Sequence, residues 1–169
     1  MPLSHLFVAG VPATGKTWFG EWLAKKHCYF HIDAERNYGV DFDKLGVRDE
    51  WDDLIDSHNA REFVAAINKE PRPVVVNWGF PTRYLYVAAA LRAESVPIWW
   101  FNADPEMARQ AFVRRGGIDP ALFDKQMSAI ERDWAQIEAV FRPRILQALR
   151  QDGSHRTPEE LWSEVSAGG

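Results

Sequence analysis

The chain carries a single cysteine, Cys28, so it can form no internal disulfide and nothing in it asks for an oxidising compartment. It has no apolar run long enough to span a bilayer. The short stretch Leu6-Phe7-Val8-Ala9 follows no Lys or Arg and runs straight into a glycine-rich segment, so it reads as a strand rather than a signal peptide. A reducing cytoplasm without membrane contact is the expected setting. Positive charge is not in excess: 20 Lys and Arg stand against 24 Asp and Glu, a formal net charge of −4, which leaves only a local basic patch to attract nucleic acid. The histidines His5, His27, His31, His58 and His155 show no metal-ligand spacing with Cys28, so no zinc site is expected. Internal repeats and low-complexity tracts are missing too.

What is present is the composition of a folded globular protein, with 46% hydrophobic and 26% charged residues and an unusual eight tryptophans. At 169 residues the chain fits one compact domain over 1–169, large enough to bury a core without disulfides or a structural metal. Apolar runs of strand length alternate with longer segments of helical period, the pattern of βαβ units and a mostly parallel sheet. Strands are predicted over 5–9, 29–32, 74–76 and 98–101. A further strand is predicted over 145–149, where a helix is the alternative. Helices are predicted over 16–26, with Trp18, Phe19, Trp22 and Leu23 as one apolar face, and over 50–70, with a break near 57–59. Others are predicted over 81–94, 104–115, from Pro120 to about 141, and 157–165, where Thr157 to Glu160 spell a capping box. Residues 34–49 show no clear period. Trp99 and Trp100 are expected to be packing residues.

Gly10-Val11-Pro12-Ala13-Thr14-Gly15-Lys16-Thr17 matches G-x-x-x-x-G-K-T in full, between a predicted strand and a predicted helix. Its glycines let backbone N–H groups turn towards a phosphate, and the helix N-terminus adds a favourable dipole. Lys16 supplies positive charge to the β- and γ-phosphate oxygens, and Thr17 offers a hydroxyl to Mg²⁺. The expected ligands are therefore a nucleoside triphosphate, ATP before others, and Mg²⁺. Guanine-specific binding is not expected, because Asn68-Lys69-Glu70-Pro71 lacks the aspartate of Asn-Lys-x-Asp and sits at a helix end. The fold this implies is α/β, a three-layer P-loop NTPase domain with a mostly parallel sheet of about five strands.

Beyond the P-loop, three further segments carry a resemblance. Asp33-Ala34-Glu35-Arg36 reads as Asp-x-x-Arg after the second strand. Ala103-Asp104-Pro105-Glu106 leads to Arg115-Gly116, and the chain ends on Asp152-Gly153-Ser154-His155-Arg156-Thr157-Pro158-Glu159-Glu160-Leu161-Trp162. Together they resemble the P-loop kinases that include polynucleotide-kinase-like, zeta-toxin-like and small-metabolite members. The resemblance implies Asp33 as catalytic base, Arg36 as a residue holding substrate or phosphate, and Arg115 as a lid arginine within a mobile segment over about 109–120, hinged at Gly116-Gly117. Two departures stand out. Ala111 occupies a position where the family often has a second lid arginine, and Asn77 ends the central strand where many P-loop enzymes place an aspartate beside Mg²⁺.

The expected activity is transfer of the ATP γ-phosphate to a hydroxyl of a small molecule or nucleotide, with Lys16, Asp33 and Arg115 catalytic. Trp78, Phe80 and Arg83 follow the central strand and are candidates for an acceptor pocket together with Arg36. A solvated strand-end or capping role for Asp33, a turn role for Asn77 and plain packing for Trp78 are the bland alternatives. Two rival functions are a nucleotide-binding switch or adaptor with little phosphotransferase activity, favoured by Asn77 and Ala111, and a 5′-hydroxyl nucleic-acid kinase, suggested by Asp33 and Arg36.

Overall fold

A computed structural model describes residues 4–79 and 82–168, with Tyr38 described by its backbone alone. Phe80 and the predicted helix start at Pro81 lie outside the described residues. Five strands, β1 (Leu6–Gly10), β2 (Phe30–Asp33), β3 (Val74–Asn77), β4 (Ile98–Asn102) and β5 (Ile145–Gln147), form one sheet in the order β2-β3-β1-β4-β5. Every pairing is parallel. The all-buried β1 and β3 are apolar on both sides because helices cover both faces, as parallel crossovers demand.

The strand period of two sorts side chains between those faces. Phe7, Ala9, Val74, Val76, Ile98 and Trp100 join one cluster, with Phe63, Leu91, Ile137 and Phe141 from the covering helices. Leu6, Val8, Val75, Trp99 and Phe101 join the other, beneath α1 (Lys16–His27) and α8 (Pro158–Ala167). The adjacent Trp99 and Trp100 thus pack on opposite faces, 5% and 2% exposed. Trp18 departs from the predicted apolar face of α1: it is 47% exposed, while Phe19 and Leu23 are fully buried.

The aperiodic 34–49 region contains a 3₁₀ turn (Arg36–Gly39) and α2 (Val40–Leu45), bounded by left-handed glycines Gly39 and Gly46. The helix predicted over 50–70 is two helices, α3 (Arg48–Ser57) and α4 (Arg61–Ile67). His58 takes a left-handed conformation that ends α3, and the Asn59 side chain accepts from Arg61 N at 3.0 Å. After β3 comes a 3₁₀ turn (Thr82–Tyr84) and then α5 (Leu85–Ala93). α6 (Pro105–Arg115) and α7 (Pro120–Phe141) each start with an aspartate cap and a proline. Between them lie Gly116 and Gly117, both at positive φ.

The strand reading of 145–149 holds over Ile145–Gln147, which pairs with β4 and buries Leu146. Leu149 then bridges antiparallel to His155, closing the loop before α8. Among the described residues, no helix is long and apolar enough to cross a membrane.

Candidate active site

Val8, Asn77 and Asp33 stand side by side across β1, β3 and β2, so β2 and β3 end at one level while β1 runs on to Gly10. The P-loop leaves that edge. Gly10, at φ +149°, brings Val11 N to the Phe101 carbonyl at 2.9 Å; a β-carbon there would overlap the Phe101 backbone. Gly15, at φ +81°, turns the chain into α1 and serves as its N-cap. The Thr14 hydroxyl, buried, donates to the Val11 carbonyl at 2.7 Å.

Lys16 folds back over its own loop, donating to the carbonyls of Val11 (2.8 Å) and Gly10 (3.2 Å). Burial, reinforced by the nearby Arg115 charge, pulls its pKa down to about 8 against the opposing pull of Glu35 and Asp33. Thr17 donates its hydroxyl to Asp33 Oδ2 at 2.9 Å and accepts from Asn77 Nδ2 at 3.3 Å. Asn77 in turn bonds through Oδ1 to His31 Nε2. Asp33 is 7% exposed, and its other oxygen accepts from the backbone N–H groups of Glu35 (3.1 Å) and Arg36 (3.2 Å). It therefore caps the turn after β2 and holds Thr17 at once. A hydroxyl and a carboxylate set side by side at the phosphate end of the P-loop are hard oxygen donors of the kind that suits Mg²⁺, which needs few protein ligands because it keeps several waters. Among the described residues there is no cluster of three or more His, Cys, Asp or Glu side chains able to hold a metal by themselves.

A cleft of about 970 Å³ opens above this edge, lined by the P-loop, Glu35, Asn77 and Gly79, and roofed by Arg115, Ile118 and Leu122. Glu35 occupies a variable position of Asp-x-x-Arg, to which the motif assigns no role. A β-carbon added to Gly79 would sit 3.5 Å from its carboxylate and 3.7 Å from Lys16 Cε, so Gly79 keeps the space between them open. Crowding by neighbouring atoms, with Asp33 adding repulsion, raises the Glu35 pKa, while Lys16 and Arg115 oppose the rise. The signal for it was the i, i+2 spacing of Asp33 and Glu35, which carries two carboxylates to one strand end.

Arg115 lines the cleft with its guanidinium 5.2 Å from the centre of the Phe112 ring. Arg114 donates to the Gly153 carbonyl at 3.4 Å, tying α6 to the loop before α8. Arg109 pairs with Asp124 at 2.8 Å, away from the cleft lining. His155, also missed from sequence, bonds through Nε2 to the Ala13 carbonyl at 2.7 Å and so closes that loop onto the P-loop.

The predicted acceptor residues fall elsewhere. Arg36 pairs with Glu21 at 2.7 Å on the rim, and only Glu21 of the two lines the cleft. Trp78 turns into the aromatic layer with Trp51 and Tyr84, ring centroids 5.4 and 5.5 Å away. Arg83 stands over the Tyr84 ring at 4.9 Å. In place of these three, Glu35, Gly79 and Gln126 face the cleft.

No protein-family model matches the chain, and no curated protein sequence matches it. Solved structures do. A shikimate kinase from Bacteroides thetaiotaomicron shares 17% identity over 97% of this chain and 95% of its own, with a TM-score of 0.54. A gluconokinase from Sinorhizobium meliloti 1021 shares 18% over 98% and 90%, with a TM-score of 0.52. A shikimate kinase from Acinetobacter baumannii, in complex with shikimate, shares 12% over 98% and 92%, with a TM-score of 0.60. The chain therefore has the α/β fold of the small-metabolite P-loop kinases, spanned almost end to end.

Proposed function

We propose that the protein is a kinase that transfers the γ-phosphoryl group of ATP to a hydroxyl of a small molecule. The observation that carries this reading is one cleft lined together by Lys16, Arg115, the raised-pKa Glu35 and Thr17, whose hydroxyl is held from behind by Asp33. Phosphoryl transfer needs charge placement more than covalent help, and these are its parts.

The P-loop amides and Lys16 bind the β- and γ-phosphates, and Lys16 exchanges its carbonyl partners for phosphate oxygens. Thr17 and Asp33 would hold Mg²⁺, which when bound neutralises charge on the phosphates. Glu35 accepts the proton of the acceptor hydroxyl as its oxygen forms the new bond to γ-phosphorus and the bond to the ADP oxygen breaks. This moves the role of base from Asp33, occupied by Thr17 and two backbone donors, to the neighbouring acid that faces the cleft. Residues 109–120 act as a lid in which Arg115 follows the transferring charge and Ile118, 47% exposed, covers the cleft against water together with Leu122 of α7, 53% exposed.

The fold neighbours named for shikimate and gluconate support a small hydroxylated acceptor, and the net charge of −4 argues against a nucleic-acid end. The test is γ-labelled ATP with Mg²⁺ offered to hydroxy acids, sugars, amino sugars, nucleosides and 5′-hydroxyl oligonucleotides, with wild type beside Lys16→Ala. Label on one acceptor, lost in the variant, is the expected result. Tight ATP binding with no acceptor labelled would favour the nucleotide switch, the reading that Asn77 and the cation-free Ala111 support.

A further inference from the structure

The residue beside Thr17 on β3 is an amide, Asn77, and its orientation decides what the Thr17 hydroxyl can do. With Nδ2 towards Thr17, as found, the threonine proton goes to Asp33, one lone pair accepts from Asn77 and the other is left free. With the amide turned over, Oδ1 would compete with Asp33 for that proton, and the hydroxyl would lose its single defined orientation. An amide has no charge to hold it either way, so a neighbour must choose.

That neighbour is His31, one strand away on β2, whose Nε2 meets Asn77 Oδ1. A histidine that donates from Nε2, as the Nε2–H tautomer or as the imidazolium, accepts only one orientation of the amide. A second feature serves the same arrangement from α1. Gly20 is buried against the His31 ring, and a β-carbon there would overlap Nε2 and stand 2.5 Å from Cδ2 and 3.0 Å from Cε1. Alanine is the better helix former, so a mid-helix glycine at this point exchanges helix stability for room for the ring.

We propose that His31 is a positioning residue: seated in the space left by Gly20, it fixes the Asn77 carboxamide so that Thr17 presents a lone pair to Mg²⁺, in place of an acid at the end of β3. The inference rests on the nucleotide reading above. It makes the metal end of the site depend on a chain of contacts running Gly20, His31, Asn77, Thr17, with Asp33 as its one carboxylate.

Two measurements on the full chain test it. Side-chain ¹⁵N shifts of His31 in the nucleotide-free protein are expected to show a protonated Nε2; an Nδ1–H tautomer with bare Nε2 would overturn the proposal. The second is calorimetric binding of a non-hydrolysable ATP analogue with and without Mg²⁺. In His31→Leu and Gly20→Ala the gain in affinity on adding Mg²⁺ is expected to shrink about 10- to 100-fold, with Mg²⁺-free affinity kept, and His31→Gln, which still donates, is expected to retain most of it. Equal Mg²⁺ dependence in His31→Leu and wild type overturns the inference alone, as does a loss of Mg²⁺-free binding by the same factor, which would mark His31 as a support of the P-loop itself. Failure of wild type to bind the analogue under either condition brings down the nucleotide reading and the inference with it.

Discussion

Lys16 is a part-buried ammonium bonded to two carbonyls, with its pKa pulled down to about 8. Phosphates stabilise the charged form, so its pKa is higher in the complex than in the free protein. Linkage then gives the sign: affinity is flat while Lys16 is protonated in both states, and falls as pH rises through about 8, because binding must then take up a proton. The slope above that point approaches tenfold per pH unit. Nucleotide titrations between pH 6 and 10 check this, and an affinity that stays level to pH 10 would mean that Lys16 keeps its proton in the free site. The motif made Lys16 and Thr17 readable from sequence, because their roles follow from a local turn and a helix start. Asn77 was readable as the end of the central strand but not as the partner of Thr17 and His31, and Glu35 and His155 were not readable in the same way. Their parts depend on which strand ends meet across the sheet, and on a loop 142 residues away closing on Ala13.

Among the elements, the strands and most helices were visible because burial on both sheet faces or on one helix face leaves a period. α2 was not, since six residues between left-handed glycines are too few to display one. The final helix shows how local chemistry sets a boundary. The Thr157 hydroxyl accepts from Glu160 N at 3.3 Å, and the Glu160 carboxylate accepts from Thr157 N at 2.6 Å. Thr157→Ala removes half of that box and is expected to lower stability by about 1 kcal/mol, measured as a shift of the urea midpoint at unchanged slope. No loss of stability would indicate that Glu160, through Arg150, anchors the helix start alone. The 3₁₀ turn after β3 is tied to α7 by the Thr82–Asp133 hydrogen bond, and α6 is tied to α7 by the Arg109–Asp124 pair across the Gly116-Gly117 link.

For the whole molecule, one sheet with a core on each face makes stability and site geometry a single property. Ile137 is fully buried against the sheet from α7, and Ile137→Ala is expected to cost about 2–5 kcal/mol in chemical denaturation. A smaller loss would show that α7, which also carries the lid-side Leu122, packs more loosely than its burial implies. The kinase structures align over 97–98% of this chain at 12–18% identity, so such a fold tolerates replacement of most side chains; here Asp33 and Glu35 stand where β2 ends, level with the end of β3. The division of labour between the two acids at that level is the central claim, and steady-state phosphoryl transfer by Glu35→Gln beside Asp33→Asn tests it most directly. Glu35→Gln is expected to lower kcat by about 10²- to 10⁴-fold with nucleotide affinity kept, whereas Asp33→Asn weakens the Mg²⁺-dependent part of nucleotide binding. The reverse pattern, with kcat lost in Asp33→Asn and kept in Glu35→Gln, would contradict it.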